Sequence, residues 1–269
     1  MTKVIKREHA ERARAHESVL AVPEVMRTAP GIAIQGRKIR SLVFSTDLAV
    51  ICHCDADAVL AVYPFTCQPA ITQALVAASQ RPVFNGVGGS ITQGERCVEA
   101  ALHSEMSGVA AVVVNTSIPV ESISALVEKV AVPVCVTACA ADDVVHRQIA
   151  AGASIVNVAA GARTPQVVEA LRREYPDLPI IATGGPTDDA IRATIAAGAD
   201  AVSWTPPAIA DLEREVMEKA RRLAAELLQS PASAIRRGRP WSPPTQLGAS
   251  FRLGGLTKVS PYGMWGKRG

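Results

Sequence analysis

The chain has 269 residues, of which 48% are hydrophobic and 4% aromatic, and its net charge is +3 at pH 7. This length fits one α/β barrel of about 250 residues. Six cysteines and a charged amino terminus predict reduced thiols in a cytoplasmic protein rather than a secreted disulfide framework. No apolar run reaches the ~20 residues that span a bilayer, so no membrane partner is expected.

Three segments with different patterns follow one another. Residues 1–37 are predicted to form a charged helix and a capping segment, with a short hairpin that closes the floor of a barrel. Residues 38–230 alternate mainly apolar strands with amphipathic helices. The strands are predicted at 40–44, 58–63, 82–85, 110–115, 133–137, 154–158, 179–183 and 201–205. The helices are predicted at 46–54, 69–79, 93–107, 120–130, 142–151, 165–175, 188–197 and 207–229.

One part of this pattern is written twice. Residues 132–153 return in register as residues 178–199, and each copy contains a strand, a loop, a helix and a glycine. Uninterrupted apolar strands indicate a parallel sheet that is covered on both faces. A doubly wound open sheet is the competing fold. The repeat favours a closed barrel, because equivalent strand–helix units can take equivalent places around a ring. We therefore predict a single (β/α)8 TIM barrel in the α/β class.

The third segment, residues 231–269, is an extended tail rich in Pro, Gly and Ser, with seven basic residues and no acidic one. It fits a surface arm, and its aromatic residues favour contacts with another copy of the chain in a homo-oligomer. Basic and aromatic residues together also suit nucleic acid. That partner is disfavoured because no folded nucleic-acid module accompanies them.

Polar residues recur where five successive strands end. In such barrels the active site lies at the carboxyl ends of the strands. By period-two alternation, each polar residue is predicted to share a face with the apolar residue two positions earlier. Each can simply cap a strand, but five together predict a polar binding pocket. These residues are Asn85, Asn115, Thr137, Asn157 and Thr183.

Glycines open the loop after the seventh strand. In IIATGGPTDDAI, Gly184 and Gly185 precede a helix start, where free backbone N–H groups can bind phosphate oxygens. This passage, with AGADAV after it, resembles the phosphate-binding half of the aldolase-type barrels. That superfamily includes the ribulose-phosphate-binding enzymes, thiamine-phosphate synthase and the FMN-binding nitronate oxidases. The resemblance covers residues 132–206 and implies a phosphate site.

The chain departs from that family after the eighth strand. It reads SWTPP where the family has a small second phosphate motif, and two prolines remove two N–H donors. Thr205 keeps a hydroxyl donor there. A second glycine loop after the third strand, containing Gly88 and Gly89, can bring backbone close to a ligand. Two interpretations therefore remain. The anion site consists only of the glycines after the seventh strand, or the pocket binds a neutral ligand instead.

Few residues are candidates for catalysis. Asp47 follows the first strand, where it is a proton-transfer candidate or a helix cap. Cys139 follows the fifth strand and is a nucleophile candidate or an inert thiol. Asn115 can orient a reacting group. No lysine ends a strand, so no Schiff base is expected, and the histidines and carboxylates do not converge, so no metal is expected.

These residues predict an enzyme that acts on a small, phosphorylated metabolite. The reaction would be an isomerisation or a lyase or synthase step that proceeds by proton transfer without a cofactor. Three alternatives remain. They are an FMN-dependent oxidoreductase of the nitronate-oxidase type, a hydrolase that uses Cys or Asp, and a non-enzymatic barrel that binds a ligand or supports assembly.

Overall fold

A computed structural model of the protein describes residues 20–229. The predictions for the amino-terminal helix and the basic tail therefore lie outside the described residues. The chain divides into two compact units, Met1–Leu212 and Glu213–Gly269. The first unit contains the barrel, and the described part of the second is the larger part of one helix. The predicted boundaries at 37/38 and 230/231 stay predictions.

Eight parallel strands close into a barrel, as predicted. They follow one another in chain order around the ring, and the last strand pairs with the first. A short antiparallel hairpin, β1 (Ile32–Ile34) and β2 (Arg37–Ile39), precedes them. The barrel strands are β3 (Ser41–Phe44), β4 (Ala58–Ala61), β5 (Val83–Gly88), β6 (Ala111–Val114), β7 (Val134–Ala138), β8 (Ile155–Val158), β9 (Ile180–Thr183) and β10 (Ala201–Trp204).

Helices between successive strands cover the outside of the ring, and one further helix follows the last strand. The first, α1 (Leu48–His53), is the shortest, and it lies within residues 46–54, the shortest of the predicted helices. The others are α2 (Pro69–Ala78), α3 (Gly94–Met106), α4 (Val120–Lys129), α5 (Asp143–Ala150), α6 (Thr164–Glu174), α7 (Asp188–Ala196) and α8 (Ile209–Gln229). Short 3-10 segments occupy Glu24–Thr28 and Gly161–Arg163.

Two shells of apolar side chains explain why these strands are mainly apolar. Alternate residues of each strand point into the ring or outward against the helices. Phe84, Cys135 and Ile181 are in the inner cluster and are almost fully buried. Val136 and Ala182, one position along β7 and β9, pack in an outer cluster with helix residues. Both faces must therefore be apolar.

The hairpin closes the amino-terminal end of the barrel. Its two-residue turn has Gln35 at φ 49° and Gly36 at φ 74°, the left-handed conformation that tight hairpins require. Ile32 and Ile39 pack in the same cluster as the inward residues of the strands. The N–H of Gly31 donates to the carbonyl of Asp200 at 2.7 Å, just before β10. The open end of the ring is therefore the carboxyl end of the strands.

Candidate functional site

Two hydrogen-bonded pairs of polar side chains lie on the inward face at the carboxyl ends of β7 to β10. Asn157 Nδ2 donates to Thr137 Oγ1 at 3.4 Å, between neighbouring strands. Ser203 Oγ donates to Thr183 Oγ1 at 3.4 Å, between the next two strands. Each of the four residues is two positions beyond an inner-cluster residue, so all four face the interior. We call this set the inner quartet.

One atom of the inner quartet has no partner. Asn157 is only 5% exposed, and its Oδ1 accepts no hydrogen bond from the described residues. A buried polar atom without a partner costs about 1–3 kcal/mol, so such atoms are rare and mark places where a ligand or water binds. The oxygen itself is buried, so a molecule bound at the mouth of the barrel would reach it after a small movement of the neighbouring side chains, without first breaking another hydrogen bond.

The thiol below Asn157 is not a nucleophile in this setting. Cys135 is fully buried in the inner cluster, and burial raises the pKa of its thiol to about 12, although a backbone hydrogen bond from Asn157 acts in the opposite direction. The thiolate is the reactive form of cysteine. Cys135 therefore stays protonated near neutral pH and acts as an apolar side chain.

A second group of predicted residues lines a cleft of about 240 Å³ at the ends of β4, β5 and β6. Gly88 and Gly89 form one wall, and Asn115 forms another. A Cβ at Gly89 would overlap the Asn115 side chain, so only glycine allows this close approach. Asn115 Oδ1 accepts from the N–H and the hydroxyl of Ser117, at 3.1 and 2.6 Å, which leaves Nδ2 for a ligand.

Aromatic side chains complete this cleft. Tyr63 is partly buried and its hydroxyl accepts the N–H of Gln68 at 2.9 Å, while Phe65 is 75% exposed. Burial raises the pKa of Tyr63, so the phenol stays neutral. An apolar ring next to free backbone is typical of ligand clefts. The cleft thus offers a neutral surface with few charges.

The structure corrects the predicted orientation of Asn85. Phe84, not Val83, belongs to the inner cluster, so Asn85 points outward between the barrel and the helices. Its Nδ2 donates to Thr72 of α2 at 3.1 Å and to Ser104 of α3 at 3.0 Å. Strand β5 also continues to Gly88, and its register against β6 shifts between Gly86 and Gly88. Asn85 therefore does not reach the mouth of the barrel.

The glycines after β9 have a packing role. A Cβ at Gly184 would come within 2.8 Å of Val202 and 3.0 Å of Ile191, and one at Gly185 would overlap Ala190 of α7. The N–H of Gly184 donates to the carbonyl of Ser203 at 2.9 Å. That N–H is therefore in use and is not the free phosphate donor that the motif predicts.

The three remaining candidates lie in loops that follow barrel strands. Asp47 is the N-cap of α1, and its Oδ1 accepts from Ala49 and Val50 at 2.8 and 3.1 Å. Cys139 is exposed in the loop after β7, and Thr205 is exposed after β10. The structure thus brings together Thr137 with Asn157 and, in the cleft, the two glycines with Asn115. Within residues 20–229, no hydrogen bond joins these residues to Asp47, Cys139 or Thr205, although Asp47 follows β3, the strand that pairs with β10.

Ser203 is a site residue that the sequence analysis missed. It is 2% exposed, faces inward and bonds to Thr183. The signal was present, because Ala201 and Ser203 are two positions apart on the last strand. The missing phosphate motif after the eighth strand pointed to Thr205 instead.

Residues 20–229 contain neither a metal-binding cluster nor a membrane-spanning helix. No three His, Cys, Asp or Glu side chains come together there as a group that could hold a metal ion. In the same part of the chain, no helix is both long enough and apolar enough to cross a membrane.

Comparison with known proteins places the chain by its fold. No family model matches it, and no curated protein matches it. Among solved structures it is similar to phosphonopyruvate hydrolase in complex with oxalate and Mg++, with 14% identity and a TM-score of 0.55, covering 75% of this chain and 88% of that one.

Two further structures give the same result. Phosphoenolpyruvate phosphomutase from Streptomyces platensis subsp. rosaceus has 15% identity and a TM-score of 0.53, with 80% and 89% covered. A 2,3-dimethylmalate lyase, a member of the PEP mutase/isocitrate lyase superfamily, has 12% identity and a TM-score of 0.52, with 79% and 91% covered. These identities show the barrel fold alone. The resemblance to aldolase-type barrels holds at that level, although these neighbours differ from the subfamilies named above.

Proposed function

We propose that the protein is an enzyme that binds a small organic acid, in carboxylic or phosphorylated form, at the carboxyl ends of its barrel strands. The observation that carries this proposal is the inner quartet with the unpartnered Asn157 Oδ1. The names of the similar structures support the substrate class, since they describe enzymes of phosphonopyruvate, phosphoenolpyruvate and dimethylmalate. The fold itself hosts many chemistries.

The site suggests how such an acid would be held. Asn157 Oδ1 can accept from a hydroxyl group of the acid, and the hydroxyl of Thr183, whose oxygen accepts from Ser203, can donate to the carboxylate or phosphate oxygens. Neutral donors bind an anion less tightly than arginine or lysine would. We therefore expect modest affinity and selection by shape and hydrogen bonding.

The reaction we propose is an isomerisation or a lyase or synthase step that proceeds by proton transfer. No lysine lies on a barrel strand, so a Schiff base has no candidate in this set. The carboxylates and histidines of the described residues form no metal-binding group. Asp47 remains the proposed proton-transfer group, through Oδ2, because its Oδ1 caps α1.

Ligand binding tests the proposal first. Glycolate, malate and 3-phosphoglycerate, each of which has a hydroxyl donor for Asn157 Oδ1 as well as an anionic group, are added separately to the purified protein, and the melting temperature and Kd are measured. At least one should stabilise the protein. The variant Thr183→Val should weaken that binding about tenfold or more, because it removes a hydroxyl from the quartet without changing its volume.

A matched control separates this effect from a general loss of stability. Thr194→Val also removes a buried threonine hydroxyl, but its Oγ1 donates to Ala190 O within α7, away from the mouth. Binding by the control should equal that of the wild type. If no acid binds, or if both variants lose binding equally, the proposed site is wrong.

The catalytic role of Asp47 needs its own experiment. Once a substrate is found, Asp47→Asn should abolish turnover but leave ligand binding and stability nearly unchanged, because an amide oxygen can still cap α1. Asp142→Asn is the control, since Asp142 caps α5 in the same way. An unchanged rate in Asp47→Asn would contradict the role, and equal losses in both variants would make it structural.

The FMN alternative has a separate signature. A flavin protein is yellow, so the visible spectrum of the purified protein distinguishes the two functions without any variant. We favour the acid-transforming enzyme because the inner quartet accounts for a small polar ligand with hydrogen-bonding groups.

A further inference from the structure

The cleft at the ends of β4, β5 and β6 is larger than the smallest organic acids need. Its volume is about 240 Å³, whereas a protein cavity of about 150 Å³ holds a benzene molecule. The proposed function places the acid at the inner quartet, on β7 to β10. The cleft therefore has room for a ring-sized part of a ligand that the quartet does not contact.

The cleft and the inner quartet are neighbours at the mouth of the barrel. Strand β6 pairs with β7, and Val114 lies opposite Val136. The residues that follow these two are Asn115, a wall of the cleft, and Thr137, a member of the quartet. Adjacent strands lie about 4.8 Å apart. A ligand that contacts Thr137 is therefore one strand spacing away from the cleft.

The walls of the cleft are uncharged and partly flat. Among the described residues, those that line it include no Asp, Glu, Lys, Arg or His. Gly86 and Gly88 are partly exposed there and present peptide groups without side chains, and Phe65 contributes a phenyl ring. Aromatic rings gain energy from contact with other rings beyond the area that they bury. An uncharged, planar group therefore fits this cleft better than a second charged group.

Two loops with exposed apolar side chains border the cleft. Phe65, after β4, is 75% exposed, and Ile91, after β5, is 67% exposed. The residues next to them join the two loops, because Thr92 Oγ1 donates to Thr66 Oγ1 at 3.0 Å. The N–H of Gly89 also donates to the carbonyl of Thr92 at 2.9 Å. The loops are thus held in place before a ligand binds, which lowers the entropy cost of binding.

The loop that supplies the Asn115 wall is held from behind. Gln148 of α5 is 0% exposed, and its Nε2 donates to the carbonyls of Thr116 and Ile118 at 3.2 and 3.3 Å. Asn115 Oδ1 is bonded to Ser117 within the same loop. Ligand sites in proteins are usually formed before the ligand arrives, and this cleft meets that condition.

We propose that the cleft binds an aromatic ring of the substrate, so that the substrate is an α-hydroxy acid with an aryl side chain. This inference rests on the proposed function, since the inner quartet must hold the acid group and its hydroxyl. The ring lies beside the peptide groups of Gly86 and Gly88 and contacts Phe65 and Ile91. Its binding transfers apolar surface of the ring and of these two side chains out of water.

A matched pair of acids tests this proposal on the full chain. Lactate and 3-phenyllactate have the same carboxylate and hydroxyl group and differ by one phenyl ring. Calorimetry on both enantiomers of each should show that 3-phenyllactate binds at least tenfold more tightly, because its ring leaves water. Equal binding of the two acids would overturn the aryl site and leave the proposed function in place, whereas binding of neither would contradict both.

A third acid tests whether the group is aromatic. In 3-cyclohexyllactate the ring has a similar size, but it is puckered and has no aromatic face. We expect it to bind less tightly than 3-phenyllactate, because it cannot stack on Phe65 or lie flat against the glycine backbone. Equal or tighter binding of 3-cyclohexyllactate would overturn the assignment to an aromatic ring.

Variants at Phe65 locate the bound ring. Phe65→Ala should weaken 3-phenyllactate binding about tenfold and leave lactate binding unchanged, while Phe65→Trp keeps an aromatic contact and should retain tight binding. Met106→Ala is the control, because Met106 is 83% exposed at the last position of α3 and does not line the cleft. Unchanged binding of 3-phenyllactate in Phe65→Ala, or an equal loss for both acids, would overturn the site.

Discussion

The two copies of the repeated sequence form β7 with α5 and β9 with α7. They fold alike but differ in the loop that joins the strand to the helix. Cys135 and Ile181 occupy the same inward position, and Thr137 and Thr183 follow two residues later. Each helix ends before a glycine with a strongly positive φ, 106° at Gly152 and 109° at Gly198, which a residue with a side chain rarely adopts. The residues that the two copies share therefore determine the strand–helix scaffold.

The loops between strand and helix show the difference. In the first copy Cys139 is exposed, whereas Gly185 at the equivalent place has α7 directly against it. The capping residue also changes, from Asp142 in the first copy to Thr187 in the second. A glycine pair that looks like a phosphate loop is thus also what close packing of a helix requires. The local motif does not distinguish the two causes.

Exchanging the loop residues should produce the largest difference in stability between the two copies. Gly185→Cys places a side chain where Ala190 already lies, so we expect it to lower the free energy of unfolding by about 3 kcal/mol. Cys139→Gly, the reverse exchange in the other copy, should cost about 1 kcal/mol or less, mainly through chain entropy. Chemical denaturation of both variants measures the difference, and equal costs would contradict the packing explanation.

Alkaline pH should distinguish the inward residue of the first copy, Cys135, from its aliphatic counterpart in the second, Ile181. The pKa of Cys135 is raised from 9.0 to about 12 in the folded protein by burial, so between these values the unfolded chain loses a proton that the folded chain keeps. Stability from this group is complete below pH 9 and falls as pH rises, by up to about 1.4 kcal/mol per pH unit.

The variant Cys135→Val isolates that contribution, because position 181 in the other copy is already aliphatic. Its free energy of unfolding should decline less steeply between pH 9 and pH 11 than that of the wild type. Other buried thiols, such as Cys97 with a pKa raised by burial to about 11, contribute equally to both proteins. Identical slopes would mean that Cys135 is not buried as described.

The smallest expected effect concerns the helix caps. Asp142 Oδ1 accepts from the N–H groups of Val144 and Val145, both at 3.1 Å, so Asp142→Ala should cost about 1 kcal/mol. Asp188→Ala changes the aligned aspartate but should cost less than about 0.5 kcal/mol, because Thr187 caps α7. Thermal melts of the two variants provide the test, and a larger cost for Asp188→Ala would reverse the assignment of the caps.

The barrel could be predicted from the sequence because its causes are local. Apolar strands bounded by Gly and Pro, a repeated strand–helix unit and a regular spacing all pointed to a closed parallel sheet. The eight predicted strands match the observed ones to within three residues at each end. The inward orientation of Thr137, Asn157 and Thr183 also followed from alternation, because each continues the inner face of its strand.

The site was less predictable, since its errors depend on contacts between distant parts of the chain. Val83 and Phe84 are both apolar, so alternation alone could not decide which faces inward, and Asn85 was assigned to the wrong side. Its actual partners, Thr72 and Ser104, belong to two different helices. Likewise the N–H of Gly184 is bonded to β10, a strand that the motif does not contain.

Ring closure has a consequence for synthesis of the protein on the ribosome. The barrel joins its first and last strands, where Ser41 pairs with Val202. While the chain grows, β3 emerges early and can pair with β4 on one side only, so its other edge keeps unsatisfied backbone groups. No nascent chain that stops before residue 201 can complete the ring. A chain that folds during synthesis therefore passes through a stage with an unpaired strand edge, and that edge is the surface that a chaperone would cover.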